Sequence, residues 1–139
     1  MTRLAILSLA ACGLAVTLPL VAAPPLPTLA HAQPGLWEIS GVPGSHAPFR
    51  QCIADIAALA RFEHRGRSCV PKLVKQSGSI TQYEYSCGGA GFGHSEVEVL
   101  TPRSLRISTQ GISEGLPFNY VLQARRVDDC TKSVSSSSH

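Results

Sequence analysis

The chain is poor in charge and in the residue patterns that carry chemistry. Charged residues are 15% of its 139 and the net charge is +3, too mild for a nucleic-acid surface. Its basic residues are not interleaved with aromatics, as binding to single strands would require. There is no C-x-x-C, and His31, His46, His64, His94 and His139 stand at no metal-ligand spacing from the cysteines, which argues against zinc sites and thioredoxin-like redox chemistry. Nucleophile-elbow, Walker and zincin motifs are missing too. The Gly-rich stretch Gly88-Gly89-Ala90-Gly91-Phe92-Gly93 is followed by a strand pattern, whereas a phosphate-cradling loop opens a helix, so it reads as a turn. Glu96 and Glu98 lie two apart with Arg106 facing them, which suits a surface charge ladder better than a catalytic carboxylate pair. The expectation is a protein that is not an enzyme and holds no cofactor or metal.

What the chain does have begins with an apolar leader. Thr2 and Arg3 precede a nearly unbroken apolar run, Leu4 to Ala23, and Pro24, Pro25 and Pro27 end it. Ala30-His31-Ala32 then offers a small-x-small cleavage site. Residues 1–32 therefore read as a signal peptide, cut before Gln33. The run is long enough to remain as an uncleaved anchor. Leu9-Ala10-Ala11-Cys12 resembles a lipobox, which would instead leave a lipoprotein anchored at Cys12. Cleavage removes Arg3 and leaves a charge of about +2 on the mature chain. The mature part, 33–130, is one domain, and the Ser-rich 131–139 reads as a disordered tail.

Four cysteines remain in the mature chain: Cys52, Cys69, Cys87 and Cys130. An even count in a short exported domain implies two structural disulfides, with three connectivities open. The positions of the cysteines at element ends favour 52–69 with 87–130.

Between them the periodicities alternate. Leu36 to Ser40 is a strand carrying Trp37, the single tryptophan, read as core. Residues 41–48 are a loop, returning as an extended edge through Phe49 to Gln51. Cys52 to Glu63 is Ala-rich, with Ile53, Ile56, Ala57 and Ala60 on one stripe widened by Leu59, which predicts a helix stopped at Gly66. Val70–Gln76 and Ile80–Cys87 form strands about Ser77-Gly78, with Tyr83, Tyr85 and Cys87 facing inward. Strands 94–100 and 104–110 turn about Pro102, placing Val99 against Leu105, Val97 against Ile107 and Glu98 against Arg106. The last strand, 117–127, has the apolar face Phe118, Tyr120, Leu122 and Ala124. A turn centred on Ser113 would flip that face outward, so a bulge or asymmetric loop is expected near Gly111 or Gly115.

Pro34-Gly35-Leu36-Trp37-Glu38, Gln51-Cys52, Cys69, Tyr85-x-Cys87 and Cys130 after Arg125-Arg126 together resemble the bacterial exported family catalogued as domain of unknown function 3617. The likeness runs from Pro34 to Cys130. It departs at Asp128-Asp129-Cys130, where members carry Gly-x-Cys. The resemblance implies export to a bacterial periplasm and supplies neither an activity nor binding residues. The fold expected is α+β: a curved antiparallel sheet of about five or six strands packed on one helix, with two disulfides. The expected role is a periplasmic or secreted envelope protein that binds an apolar or anionic small ligand, or alternatively a protein–protein interaction module such as an inhibitor or assembly factor. Contact with nucleic acid is not expected, and contact with membrane only through the leader or lipidation at Cys12. Arg61, Arg65, Arg67, Lys72 and Lys75 are the possible ligand surface, against the plainer reading of a solvated face. A ligand cavity is expected between helix and sheet, lined by Trp37, Tyr83, Tyr85 and Phe118; a filled core with an exposed apolar patch would favour the interaction module.

Overall fold

Alternation of apolar and polar residues, clearest in β5 and β6, marks one antiparallel sheet of β1 (Gly35–Ser40), β2 (Phe49–Ile53), β3 (Val70–Ser77), β4 (Ile80–Ser86), β5 (Gly91–Thr101), β6 (Ser104–Ser113) and β7 (Leu116–Asp128). The computed structural model describes residues 29–130. Most of the leader, Cys12 and the Ser-rich tail lie outside the described residues. Within the sheet the order is β2-β1-β7-β6-β5-β4-β3, with β2 and β3 at the two edges. Seven strands thus replace the expected five or six, because the extended edge after the first loop pairs fully with β1.

One face of the sheet is filled. Trp37, Ile39, Val97, Leu105, Ile107 and Leu122 are each 0% exposed. They pack with Ile53, Ile56, Leu59, Ala60 and Phe62 of the segment that crosses this face. That segment corrects the expected helix. Cys52 and Ile53 belong to β2, and the helical part is a 3-10 helix, Ile56–His64, interrupted at Arg61. Asp55 caps it, its Oδ1 accepting from the Ala57 amide at 3.0 Å. The physical reason is spacing. Ile56, Leu59 and Phe62 recur every third residue, the repeat of a 3-10 helix, and all three are buried.

The disulfides join Cys52 to Cys130 and Cys69 to Cys87, which overturns the favoured pairing. Register explains both. Val70 faces Ser86 across the β3–β4 hairpin, so the residues just outside that pair, Cys69 and Cys87, meet. Leu36 pairs with Cys52 on one side and Asp128 on the other, which brings the end of β7 to the edge strand.

Two further expectations are settled by register. Val99 faces Leu105, Val97 faces Ile107 and Glu98 faces Arg106, as expected. No bulge adjoins Gly111 or Gly115. Ser113 pairs with Leu116, and Glu114 and Gly115 form a two-residue loop with φ of 49° and 80°. Moving the turn centre past Ser113 restores parity, so Leu122 and Ala124 face the core without an extra residue. At the N-terminal end, Ala32 is 7% exposed within the core and Leu29 packs against it. Cleavage before Gln33 would take both away.

Candidate functional site

The open face of the sheet carries a groove, and the strand register shows how it is made. Three parallel rows of residues cross β3 to β7. The middle row is Pro71, Tyr85, Gly93, Gly111 and Phe118. Within it Tyr85 is buried, at 3% exposed, and Phe118 turns to the same side, while Pro71 at the sheet edge is exposed. The two glycines leave room for the rings of their neighbours: a Cβ on Gly93 would stand 2.3 Å from Tyr85 Oη, and one on Gly111 would stand 2.9 Å from the Phe118 ring. His64 closes over both rings edge to face, with centroid distances of 5.5 Å to Tyr85 and 5.8 Å to Phe118. Its Nε2 lies 3.1 Å from the Ala90 carbonyl oxygen, which accepts only, so Nε2 carries the proton and the buried Nδ1 has no hydrogen-bond partner among the described residues.

The flanking rows face the other way. On one side run Val70, Ser86, Phe92 and Ile112; on the other run Lys72, Glu84, His94, Gln110 and Asn119. Together they bound a groove of about 870 Å³. One wall is apolar, with Val70 74% and Phe92 55% exposed. The other wall is polar and includes a loose Lys72–Glu84 pair at 3.9 Å. Crossing five strands, the groove is roughly 19 Å long at the usual strand spacing.

This is not the cavity expected. The space between helix and sheet is packed, and Trp37 is wholly buried with its Nε1 donating to the Gln33 carbonyl at 3.1 Å. Of the four residues expected to line a cavity, Tyr85 and Phe118 border the groove, while Trp37 and Tyr83 do not. Phe92 was hidden by its place in a Gly-rich stretch. The signal that would have found it is its outward alternation beside Ile112.

The basic residues separate. Lys72 lines the groove. Lys75 lies on β3 opposite Gln82. Arg61, Arg65 and Arg67 gather instead around the end of the 3-10 helix. Arg65 lies over the rings of Phe62 and Phe49, its Cζ 4.6 and 5.3 Å from their centroids. Arg67 pairs with Glu114 at 2.7 Å.

The remaining polar groups tie elements together. Ser95 donates to the Ala60 carbonyl and bonds Thr109 at 2.7 Å. Tyr120 donates to Glu63 at 2.7 Å. Burial, and then Glu63 accepting that bond, hold the Tyr120 phenol far above its ordinary value. Glu96 accepts from Gln82 at 2.9 Å. Among the described residues, no three His, Cys, Asp or Glu side chains come together as a metal site, and all four cysteines are in disulfides. Comparison with family models, with curated proteins and with solved structures finds no match.

Proposed function

We propose that this chain is an exported bacterial envelope protein without catalytic activity, of the domain-of-unknown-function-3617 type. It binds an elongated amphipathic molecule across the open face of its sheet. The groove carries this reading. Its volume falls in the ~300–1,000 Å³ range of small-molecule sites. Its apolar and polar walls run side by side along its length, so an acyl chain can lie on Val70, Phe92 and Ile112 with its polar edge against His94, Gln110 and Asn119. The leader and the two disulfides support the compartment, and the Gly-Leu-Trp-Glu opening with its four-cysteine order supports the family.

The test is a titration of the oxidised protein with a long-chain fatty acid and with its glycerol ester, followed by amide chemical shifts. Saturable shifts along β4, β5 and β6 that Phe92→Ser weakens at least about tenfold are expected, the loss of one well-buried aromatic contact. If neither probe shifts these amides, and native mass spectrometry of periplasmic protein shows no co-purified ligand, the reading fails.

A second reading is favoured by β3. This edge strand is exposed at every residue, including Val70, Leu73 and Val74, and its outer backbone edge has no strand partner among the described residues. A filled core beside such an edge suits an interaction module that accepts a strand from another protein. Pro71, Lys72, Lys75 and the irregularity between Leu73 and Lys75 are the features that protect edges from indiscriminate pairing. Weakened binding of a protein partner by Val74→Pro, with lipid binding intact, would select this reading.

A further inference from the structure

The cleft beside the 3-10 helix is lined by three arginines and by no acidic residue. Arg61, Arg65 and Arg67 line a space of about 130 Å³ together with Gln51, over a floor that includes Leu59 and Phe62. We propose that this cleft is an oxyanion site that takes a phosphate group. It lies on the helix-bearing side of the sheet, away from the groove, and does not depend on it.

Three observations carry the proposal. First, Arg65 is held in place. Its guanidinium lies over Phe62 and Phe49 and its Nη1 donates to the Phe62 carbonyl at 3.2 Å. A planar fork held in this way loses little freedom on binding, and its remaining donors match a tetrahedral oxyanion. Second, Arg61 is half-buried at the point where the helix is interrupted and its side chain makes no hydrogen bond or ion pair with any described residue. A partly desolvated cation without a counter-charge gains most from an incoming anion. Third, of the two nearby carboxylates one is engaged elsewhere and the other holds an arginine of the cleft only through a surface pair. Glu63 accepts from Tyr120, and Glu114 pairs with Arg67 in an exposed bridge that opens at little cost. Several guanidinium groups around one small space favour a phosphate, with its multiple charged oxygens, over a single carboxylate. The cleft holds one such group with its nearest waters and not a larger ligand.

The phosphate has two possible sources, a free phosphate or phosphomonoester and the headgroup of an anionic lipid. The mature, oxidised chain is titrated with inorganic phosphate at ionic strength held constant with chloride, and amide shifts are followed at Arg61, Arg65 and Gly66. In parallel it is sedimented with vesicles of phosphatidylglycerol and of phosphatidylcholine. Saturable shifts at these amides, weakened about tenfold by Arg61→Gln, the loss of one charge-assisted hydrogen bond, establish the site for free phosphate. Sedimentation with phosphatidylglycerol but not phosphatidylcholine, lost in Arg61→Gln, establishes it for the headgroup. Arg106→Gln removes the same charge from the opposite sheet face and should change either binding by less than about twofold, since a screened surface charge contributes little at that distance. Arg67→Gln serves as the second variant if Arg61→Gln does not give a native amide spectrum. Absence of both phosphate and vesicle binding overturns the proposal. So does a loss in Arg106→Gln as large as in Arg61→Gln, which would reduce the effect to net charge.

Discussion

The paired glycines under the groove make the sharpest test of the packing. Gly93→Ala would place its Cβ 2.3 Å from Tyr85 Oη and 2.4 Å from Cζ, well inside van der Waals contact. Tyr85 is 3% exposed and its ring meets His64, so it has nowhere to swing. Overpacking of this kind costs about 1–3 kcal/mol, offset by the ~0.4–1 kcal/mol that an alanine gains through the unfolded chain. A net loss of about 1–2 kcal/mol follows. Gly111→Ala should cost more. Its Cβ meets the Phe92 carbonyl oxygen at 2.2 Å and Gly93 Cα at 2.7 Å; both are backbone, so β5 and β6 must part. The assay is urea denaturation of the oxidised protein, with Gly93→Ala measured in wild-type and Tyr85→Ala backgrounds. Removing the ring makes room for the methyl, so the penalty should vanish in the second background, a coupling of about 1–2 kcal/mol. A neutral Gly93→Ala, or an equal penalty in both backgrounds, would refute the ring-over-glycine account.

Other consequences follow from the same contacts. Peptide mapping without reduction should yield Cys52 linked to Cys130 and Cys69 linked to Cys87. On loop lengths of 78 and 18 residues, replacing each pair by serine should cost about 4.5 and about 3 kcal/mol on the chain-entropy account; recovery of 52–69 and 87–130 peptides would sink the register argument. Ser95→Ala strands the buried Ala60 carbonyl and Thr109 hydroxyl, for a loss of about 1–3 kcal/mol by chemical denaturation, and an unchanged midpoint would count against that bridge. All three tyrosines, Tyr83, Tyr85 and Tyr120, have phenols raised chiefly by burial. A raised folded pKa means their stabilising contribution is complete below the unfolded value near 10 and is lost as pH climbs through the folded values. Phenolate absorbance should therefore appear only together with loss of near-ultraviolet dichroism; ionisation near pH 10 with the fold intact would contradict it.

Much of the fold was legible because alternation and pairing constrain one another. In the β5–β6 hairpin, Val97 with Ile107, Val99 with Leu105 and Glu98 with Arg106 fit only one register, and that register forms. The β6–β7 turn was misplaced because Gly111 looks like a turn residue. It is a strand residue, and what requires glycine there is Phe118 and the neighbouring strand, contacts that no local pattern displays. The helix was over-read because alanine propensity outweighed a three-residue apolar spacing. The expected disulfides differ because Cys52, read as opening a helix before Cys69, lies on β2, where β1 brings it to the far end of the chain. Of the basic cluster, Arg61, Arg65 and Arg67 do converge, but Lys72 lies across the sheet on the groove.

The groove is a consequence of how little material covers the sheet. A nine-residue 3-10 helix reaches roughly 18 Å, while seven strands span about 29 Å. It can fill one face only, and among the described residues the other face is left open. An antiparallel sheet facing water is normally polar along its outward positions, and most of this face obeys: Glu96, Glu98, Arg106, Ser108 and Gln110 alternate outward. Ile80 and Val121 also face outward, but each beside a polar register partner, Glu98 and Ser108. Phe92 and Ile112 are direct register partners, and Val70 lies in the same row beyond Ser86. Isolated apolar residues on a surface need no explanation, whereas a contiguous row beside a polar one does. Replacing Phe92 and Ile112 together by threonine should leave the core untouched and stability nearly unchanged. If that double variant unfolds the domain, the row is part of the core, and the case for a ligand on this face is lost.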